Sequence, residues 1–316
     1  RNLPILVSLI LFIFVFVLVS AGELTGQWLT GYVYRKKIEI SGDNVYGTAD
    51  LAHYPLLVSL IDPDLKSVGF GGLVHAENGW DIRFTADDAT SLLDSETELY
   101  TDSTGQLIAW VRIPLLNNDE KTEIYMYFGN RDGATDPSTT DTWNNAYHGV
   151  WHLGRSAADA SQYSNDGTVN EALPVIGKIG YAYAFDGIDD NITINNSPSL
   201  NITGDISLQA WGRVTDPNDT AWILTGKSQD YWIWYDWNRL IFFAGDVHLP
   251  YTVDLNPNEW YHFAGTHDGS TTRLYLDGIE VASVANSNPT SNDSSDVLTM
   301  GIYPANPDPW NYTGEI

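Results

Sequence analysis

Short runs that alternate apolar and polar residues recur along most of the chain. "YRKKIEI", "YPLLVSL", "WDIRFT", "LIAWVRIPL" and "TEIYMYFG" follow one another between Tyr34 and Gly129, separated by turn-forming residues. Successive side chains of an extended strand point to opposite faces, so this period of two predicts half-buried strands. No stretch keeps a helical period over several turns. A second series begins at Gly149 with "GVWHL", "YAYAFDG", "NITI", "ISLQAWGRV", "AWILTGK", "YWIWYD", "RLIFFAG", "WYHFAGTHDG", "TRLYLDG", "IEVASV" and "VLTMGIY". Asp-Gly pairs at 186–187, 268–269 and 277–278 stand between such runs. Both residues tolerate positive φ, so each pair predicts a hairpin turn. The whole pattern predicts an all-β chain of two β-sandwich domains. Residues 22–133 make the first domain and residues 148–316 the second. The intervening 134–147 is rich in Asp, Thr and Asn and reads as a linker. The acidic stretch Asp94 to Asp102 reads as a loop of the first domain.

The opening segment follows a different pattern. Arg1 is its only charge before Glu23, and the apolar run ends at Val19-Ser20-Ala21. This predicts a signal peptide over residues 1–21 and hence an extracellular or cell-surface protein. If uncleaved, the same run would be the chain's only membrane contact. Composition agrees with export. With 41 acidic and 15 basic residues the net charge is −26. Nucleic-acid binding needs clustered cations, so that partner class is excluded. The chain has no cysteine, which rules out disulfides and thiolate metal sites.

Three features carry candidate chemistry. In "AFDGIDDNITI", Asp186, Asp189 and Asp190 place three carboxylates within five positions. They could cap a turn, hold a hard cation such as Ca²⁺, or form a catalytic pair. "DYWIWYDWNRLIFF" concentrates Tyr231, Trp232, Trp234 and Trp237 as candidate ligand-stacking residues. In a strand, Trp232 and Trp234 share one face, and Tyr231 shares the other with Tyr235. Asn-x-Ser/Thr sequons begin at Asn191, Asn195, Asn201, Asn218, Asn292 and Asn311. Zinc-protease spacing and serine-nucleophile elbows are absent. His148 and His152 are four apart, but "HGVWH" reads as a strand that would hold them too far apart for one ion.

Two resemblances follow from these segments. "DLAHYPLLVSL", "DIRFTADDATSLL", "AWVRIPLL" and "TEIYMYFGN" are similar to DUF2341, a domain of unknown function found in prokaryotic surface proteins. "GVWHLGRSAADASQYSNDGTV", "GKIGYAYAFDGIDDNITI", "EWYHFAGTHDGSTTRLYLDG" and "YTGEI" resemble laminin-G-like, concanavalin A-type jelly rolls. The second resemblance implies a lectin-like sandwich that often carries a rim calcium. By likeness to the acidic ligand position of the related pentraxins, it adds Asp230 to Asp186, Asp189 and Asp190 as possible ligands. Members usually continue past "GEI" with another strand, so the last strand of the second domain is expected to be missing. The alternating Glu and Asp of jelly-roll glucanases have no counterpart in the sequence. The expected function is therefore non-catalytic binding of glycans or surface proteins in adhesion. The alternatives are an accessory module of a longer carbohydrate-active enzyme and a structural envelope component.

Overall fold

The computed structural model describes residues 28–45, 47–144, 146–154, 156–215, 222–227, 229–290, 295–303 and 310–316, so the signal-peptide expectation lies outside the described residues. Strand follows strand, and every ladder between strands among the described residues is antiparallel. The chain divides into two compact units between Tyr147 and His148.

The first unit has two three-stranded sheets. One orders β1 (Tyr34–Ile40), β6 (Thr122–Phe128) and β3 (Arg83–Thr85). The other orders β2 (Leu51–Ile61), β5 (Gln106–Leu116) and β4 (Ser95–Thr101). Alternation sets what is buried in β1, whereas β5 is covered on both faces from Leu107 to Val111. Ile38, Ile40, Ile124 and Met126 are covered in the first sheet, and Tyr54, Leu56, Val58, Ala109, Val111 and Ile113 in the second. The strand β4 is the acidic stretch expected to be a loop. Its carboxylates take indole donors: Glu98 accepts from Trp110 Nε1 at 2.8 Å and Glu96 from Trp143 Nε1 at 2.6 Å. Those contacts let an acidic sequence lie flat on a sheet. The expected linker is also tied down. Thr139 N–H donates to the Ser95 carbonyl, and the buried Trp143 ring lies 5.1 Å from Trp110.

The second unit is a sandwich of two seven-stranded sheets. The first sheet runs β15 (Val247–Thr252), β14 (Arg239–Ala244), β13 (Tyr231–Asp236), β12 (Trp222–Lys227), β19 (Leu298–Met300), β10 (Asn191–Ile194) and β7 (Gly167–Asn170). The second runs β18 (Ile279–Ala285), β17 (Thr271–Leu276), β16 (Trp260–His267), β11 (Ile206–Val214), β22 (Thr313–Glu315), β9 (Tyr181–Asp186) and β8 (Leu173–Ile176). A short ladder of β20 (Ile302–Tyr303) and β21 (Trp310–Asn311) lies outside both. One continuous core fills the space between the sheets, with Ile192, Ile233, Tyr235 and Phe242 from one side and Phe185, Val214, Phe263 and Leu274 from the other. Each fully buried Ile or Phe side chain contributes about 1.5–3 kcal/mol. Close approach also requires Gly265, where an added Cβ would sit 2.2 Å from the Phe242 ring.

Two of the three expected Asp-Gly hairpins form. Asp268-Gly269 joins β16 to β17, and Asp277-Gly278, with φ of 49° and 78°, joins β17 to β18. Asp186-Gly187 does not make a hairpin. It leads from β9 to β10, which lie in different sheets, so the chain crosses the sandwich there. "GVWHL" is irregular rather than a strand. The final residues occupy an interior position. The strand β22 lies between β11 and β9, Arg213 grips Glu315, and the Tyr312 hydroxyl donates to the carbonyls of Arg213 and Glu315 at 2.9 and 3.0 Å.

Candidate ligand and metal sites

The crossing from β9 to β10 brings the three expected aspartates together. Their carboxylate oxygens lie within 4.8 Å of one another. Asp190 is buried, while Asp186 and Asp189 are exposed. Local bonds shape the loop. Asp190 Oδ2 accepts the Asp186 N–H and Asp186 Oδ1 accepts the Ile188 N–H, both at 2.8 Å. Gly187, at φ 79°, lets the backbone pass beside Thr313 of β22. Burial pushes the Asp190 carboxyl above its ordinary range, opposed by the Asp186 N–H and reinforced by the charges of Asp186, Asp189 and Glu171. Asn311 reaches the same loop through its amide donor on the Ile188 carbonyl. Its Oδ1 is buried and accepts no hydrogen bond among the described residues. Three carboxylates and an orphan carbonyl oxygen suit a hard cation, which takes oxygen ligands.

Asp230 stands apart from this group. It is fully buried and pairs with the equally buried Lys227 Nζ at 3.0 Å, which also bonds Asn201 Oδ1. Its carboxylate neutralises a cation inside the fold. The expectation that it joins the metal ligands is corrected on that ground.

The aromatic expectation divides by face. Tyr231 belongs to the central core and donates its hydroxyl to the Leu200 carbonyl at 2.9 Å, so it cannot meet a ligand. Trp232 and Trp234 point to the other face, where they form a separate cluster with Ile241 and Phe243. The two indoles stack at 3.5 Å, and Phe243 stacks on Trp232 at 5.1 Å. Trp232 is 4% exposed and therefore spent on packing, whereas Trp234 is only partly buried. The exposed His248 borders the cluster, 4.7 Å from Phe243. Trp237 is 60% exposed, in the tight turn between β13 and β14, with the Arg239 guanidinium 5.9 Å over its ring.

A further feature escaped the sequence reading. Tyr163, Ser164, Asn165, Asp166, Ile194, Asn195, Asn196 and Ser197 line an open recess of about 360 Å³. One wall is a loop organised by the buried Asp159, which accepts the backbone N–H groups of Val150, Ser161 and Asn165 and the Ser161 hydroxyl, all at 2.8–2.9 Å. The Tyr163 ring stacks on the His148 ring at 5.1 Å and 10°, and His148 Nδ1 is held by the Ser199 carbonyl at 2.6 Å. The spacing of Asp159, Ser161 and Asn165 in "DASQYSN" was the available signal, because short polar side chains that bond nearby backbone mark ordered turns. The sequons also separate here. Asn191, Asn201 and Asn311 each spend a side-chain amide atom on the fold, while Asn195 is exposed at the recess.

Residues 186–316 match the family model of the concanavalin A-like lectin/glucanases superfamily. The second unit is a concanavalin A-like jelly roll. Residues 78–153 match DUF2341, so the two domains follow in the expected order. No curated protein matches the chain. Among solved structures, domain 4 of AbnA, an extracellular arabinanase from Geobacillus stearothermophilus solved with arabinotriose, is 16% identical with a TM-score of 0.40, over 51% of this chain and 85% of that one. The binding domain of botulinum neurotoxin serotype D is 14% identical with a TM-score of 0.42, over 56% of this chain and 48% of that one. The binding domain of Paraclostridial Mosquitocidal Protein 1 is 14% identical with a TM-score of 0.36, over 53% and 47%. The chain thus spans about half the length of those two toxin domains.

Proposed function

We propose that the jelly roll is a saccharide-binding domain without chemistry of its own, carried by an exported surface protein and used in adhesion. The observation that carries the sugar-binding part of this reading is the match of the concanavalin A-like lectin/glucanases superfamily model to residues 186–316, which include most of the sandwich strands. Its outer surface supports it with an exposed indole at Trp237 and an aromatic cluster edged by Trp234 and His248. Amphipathic rings of this kind suit sugars, which offer apolar C–H faces and hydroxyl edges. Export rests on the apolar leader and on an acidic surface that stays solvated.

Calcium belongs to the same proposal. Asp186, Asp189, Asp190 and the Asn311 Oδ1 would hold it, and the ion would supply charge compensation that ties the crossing loop to the end of β21. Binding to the folded state alone stabilises by about 2.7 kcal/mol at a hundredfold excess over Kd. The direct test is calorimetric titration of the chain with soluble oligosaccharides, in calcium and in EDTA. Saturable binding supports the reading. No binding to any oligosaccharide, together with capture of a surface protein, would favour a protein ligand instead.

A further inference from the structure

The buried Lys227 sits in a setting that permits more than charge balance. The turn from β12 to β13 is closed by the Asp230 N–H on the Lys227 carbonyl at 3.1 Å, with Gln229 at φ 64°. That turn sets two side chains three positions apart against each other. Nζ of Lys227 lies 3.0 Å from Oδ2 of Asp230, and the two side chains are 0% and 1% exposed. The same Nζ donates to Oδ1 of Asn201. One nitrogen therefore touches an amide carbonyl and a carboxylate at once.

Asn201 is brought there by a separate element. It ends the single 3-10 turn Pro198–Leu200, and its N–H donates to the Pro198 carbonyl at 3.3 Å. Leu200 is buried, and its carbonyl accepts the Tyr231 hydroxyl at 2.9 Å. Tyr231 follows Asp230 directly, so the hairpin that carries the amine and the acid also anchors the segment that carries the amide. Lys227 pairs along the ladders with Tyr231 and Leu298, both buried. The three polar groups are thus positioned by packed, apolar neighbours.

An amine that bonds a carbonyl oxygen lies close to the carbonyl carbon, because the C=O bond is only about 1.2 Å long. Reacting atoms held about 3–3.5 Å apart form a near-attack arrangement. Amine attack on an amide is slow in water. Burial excludes water, and the step has to occur only once in the life of each molecule. We propose that Lys227 and Asn201 join through an intramolecular amide bond, with Asp230 as the proton carrier.

The step balances within the chain. Asp230 takes one proton from the Lys227 ammonium, and the freed amine attacks Cγ of Asn201. A second proton passes from Nζ to the Asn201 amide nitrogen by way of the Asp230 carboxyl. The Cγ–Nδ2 bond breaks, and the new Nζ–Cγ bond remains as a secondary amide. Ammonia leaves and takes the last proton from Asp230, so the net product is ammonium. Asn201 is half-buried, so the leaving group does not start from the deep core. The bond ties the end of β12, in one sheet, to the segment that enters β11, in the other. In a chain without cysteine it supplies a covalent link that no disulfide can.

The test is intact-mass spectrometry of the denatured full chain, made in a host that does not glycosylate, so that the Asn201 sequon stays unmodified. The expected mass is one ammonia below that of the sequence. Trypsin should then release one branched peptide, Ile179–Arg213 joined to Val214–Arg239, with cleavage blocked at Lys227. Lys227→Arg, Asn201→Ala and Asp230→Asn should each restore the full mass and the separate peptides. A wild-type mass equal to that of the sequence, with free cleavage at Lys227, would overturn the proposal without recourse to any variant. Loss of ammonia without the branched peptide would also overturn it, since an asparagine that cyclises on its own backbone sheds ammonia too. A branched peptide that still forms in Asp230→Asn would overturn the part assigned to Asp230.

Discussion

Single charged groups decide much of how this chain behaves. Asp190 is held above the usual carboxylate range by burial and by its acidic neighbours, so the folded state binds its proton more tightly than the unfolded chain does. Without a cation, its ionisation therefore works against folding as pH rises through the raised value. Asp190→Asn keeps an oxygen for the Asp186 N–H and removes the charge. The variant should melt higher than wild type in EDTA and lower in millimolar Ca²⁺, with Mg²⁺ at equal ionic strength as control. Parallel curves for both proteins in both conditions would refute the calcium site. Asp230 makes the opposite prediction. Removing it takes away the carboxylate that pairs with the buried Lys227, so Asp230→Ala should cost about 3–5 kcal/mol in chemical denaturation, irrespective of calcium. His262 is buried against Trp211, and burial holds its pKa down at about 4. A depressed histidine is neutral in the fold, so its contribution is complete above the unfolded value near 6.5 and is lost as pH falls towards 4. Up to about 3 kcal/mol should disappear over that window, and His262→Phe should flatten it in urea titrations at pH 4.5 and 7.

At the scale of elements, the reading of the sequence succeeded where one face of a strand is apolar. The strands β1, β11 and β13 begin and end where their alternation does. It failed where partners far along the chain supply the reason for a strand. Nothing within Asp94–Asp102 announces that Trp110 and Trp143 will satisfy Glu96 and Glu98. Asp186-Gly187 had the right residues for a hairpin, yet a turn sequence does not say whether the next strand joins the same sheet. The clustering of Asp186, Asp189 and Asp190 follows from their nearness in sequence, whereas nothing local to Asp230 says that its carboxylate will pair with Lys227 inside the fold. The aromatic run gave the correct alternation of faces but could not say that Trp234 and Phe243 would bury Trp232. Gly265 offers a test of how the two sheets meet. Gly265→Ala places a methyl against Phe242 and should destabilise the jelly roll by about 1–3 kcal/mol, the usual cost of overpacking. An unchanged denaturation midpoint would mean that the sheets are further apart there than described.

The whole chain combines a net charge of −26 with a second unit that gathers carboxylates at one loop and amides, hydroxyls and a tyrosine at another. Such a charge favours neutral or cationic partners and resists self-association. The saccharide-binding claim therefore has a specific form: neutral sugars bind, salt has little effect on them, and DUF2341 is not needed for contact. The most direct measurement is calorimetric titration of the Gly22–Ile316 chain with neutral oligosaccharides at low and high salt. The account predicts saturable heat with a dissociation constant that changes less than threefold between about 50 and 500 mM salt, since screening acts mainly on charged partners. No heat with any oligosaccharide, or binding confined to anionic ones and abolished by salt, would contradict it.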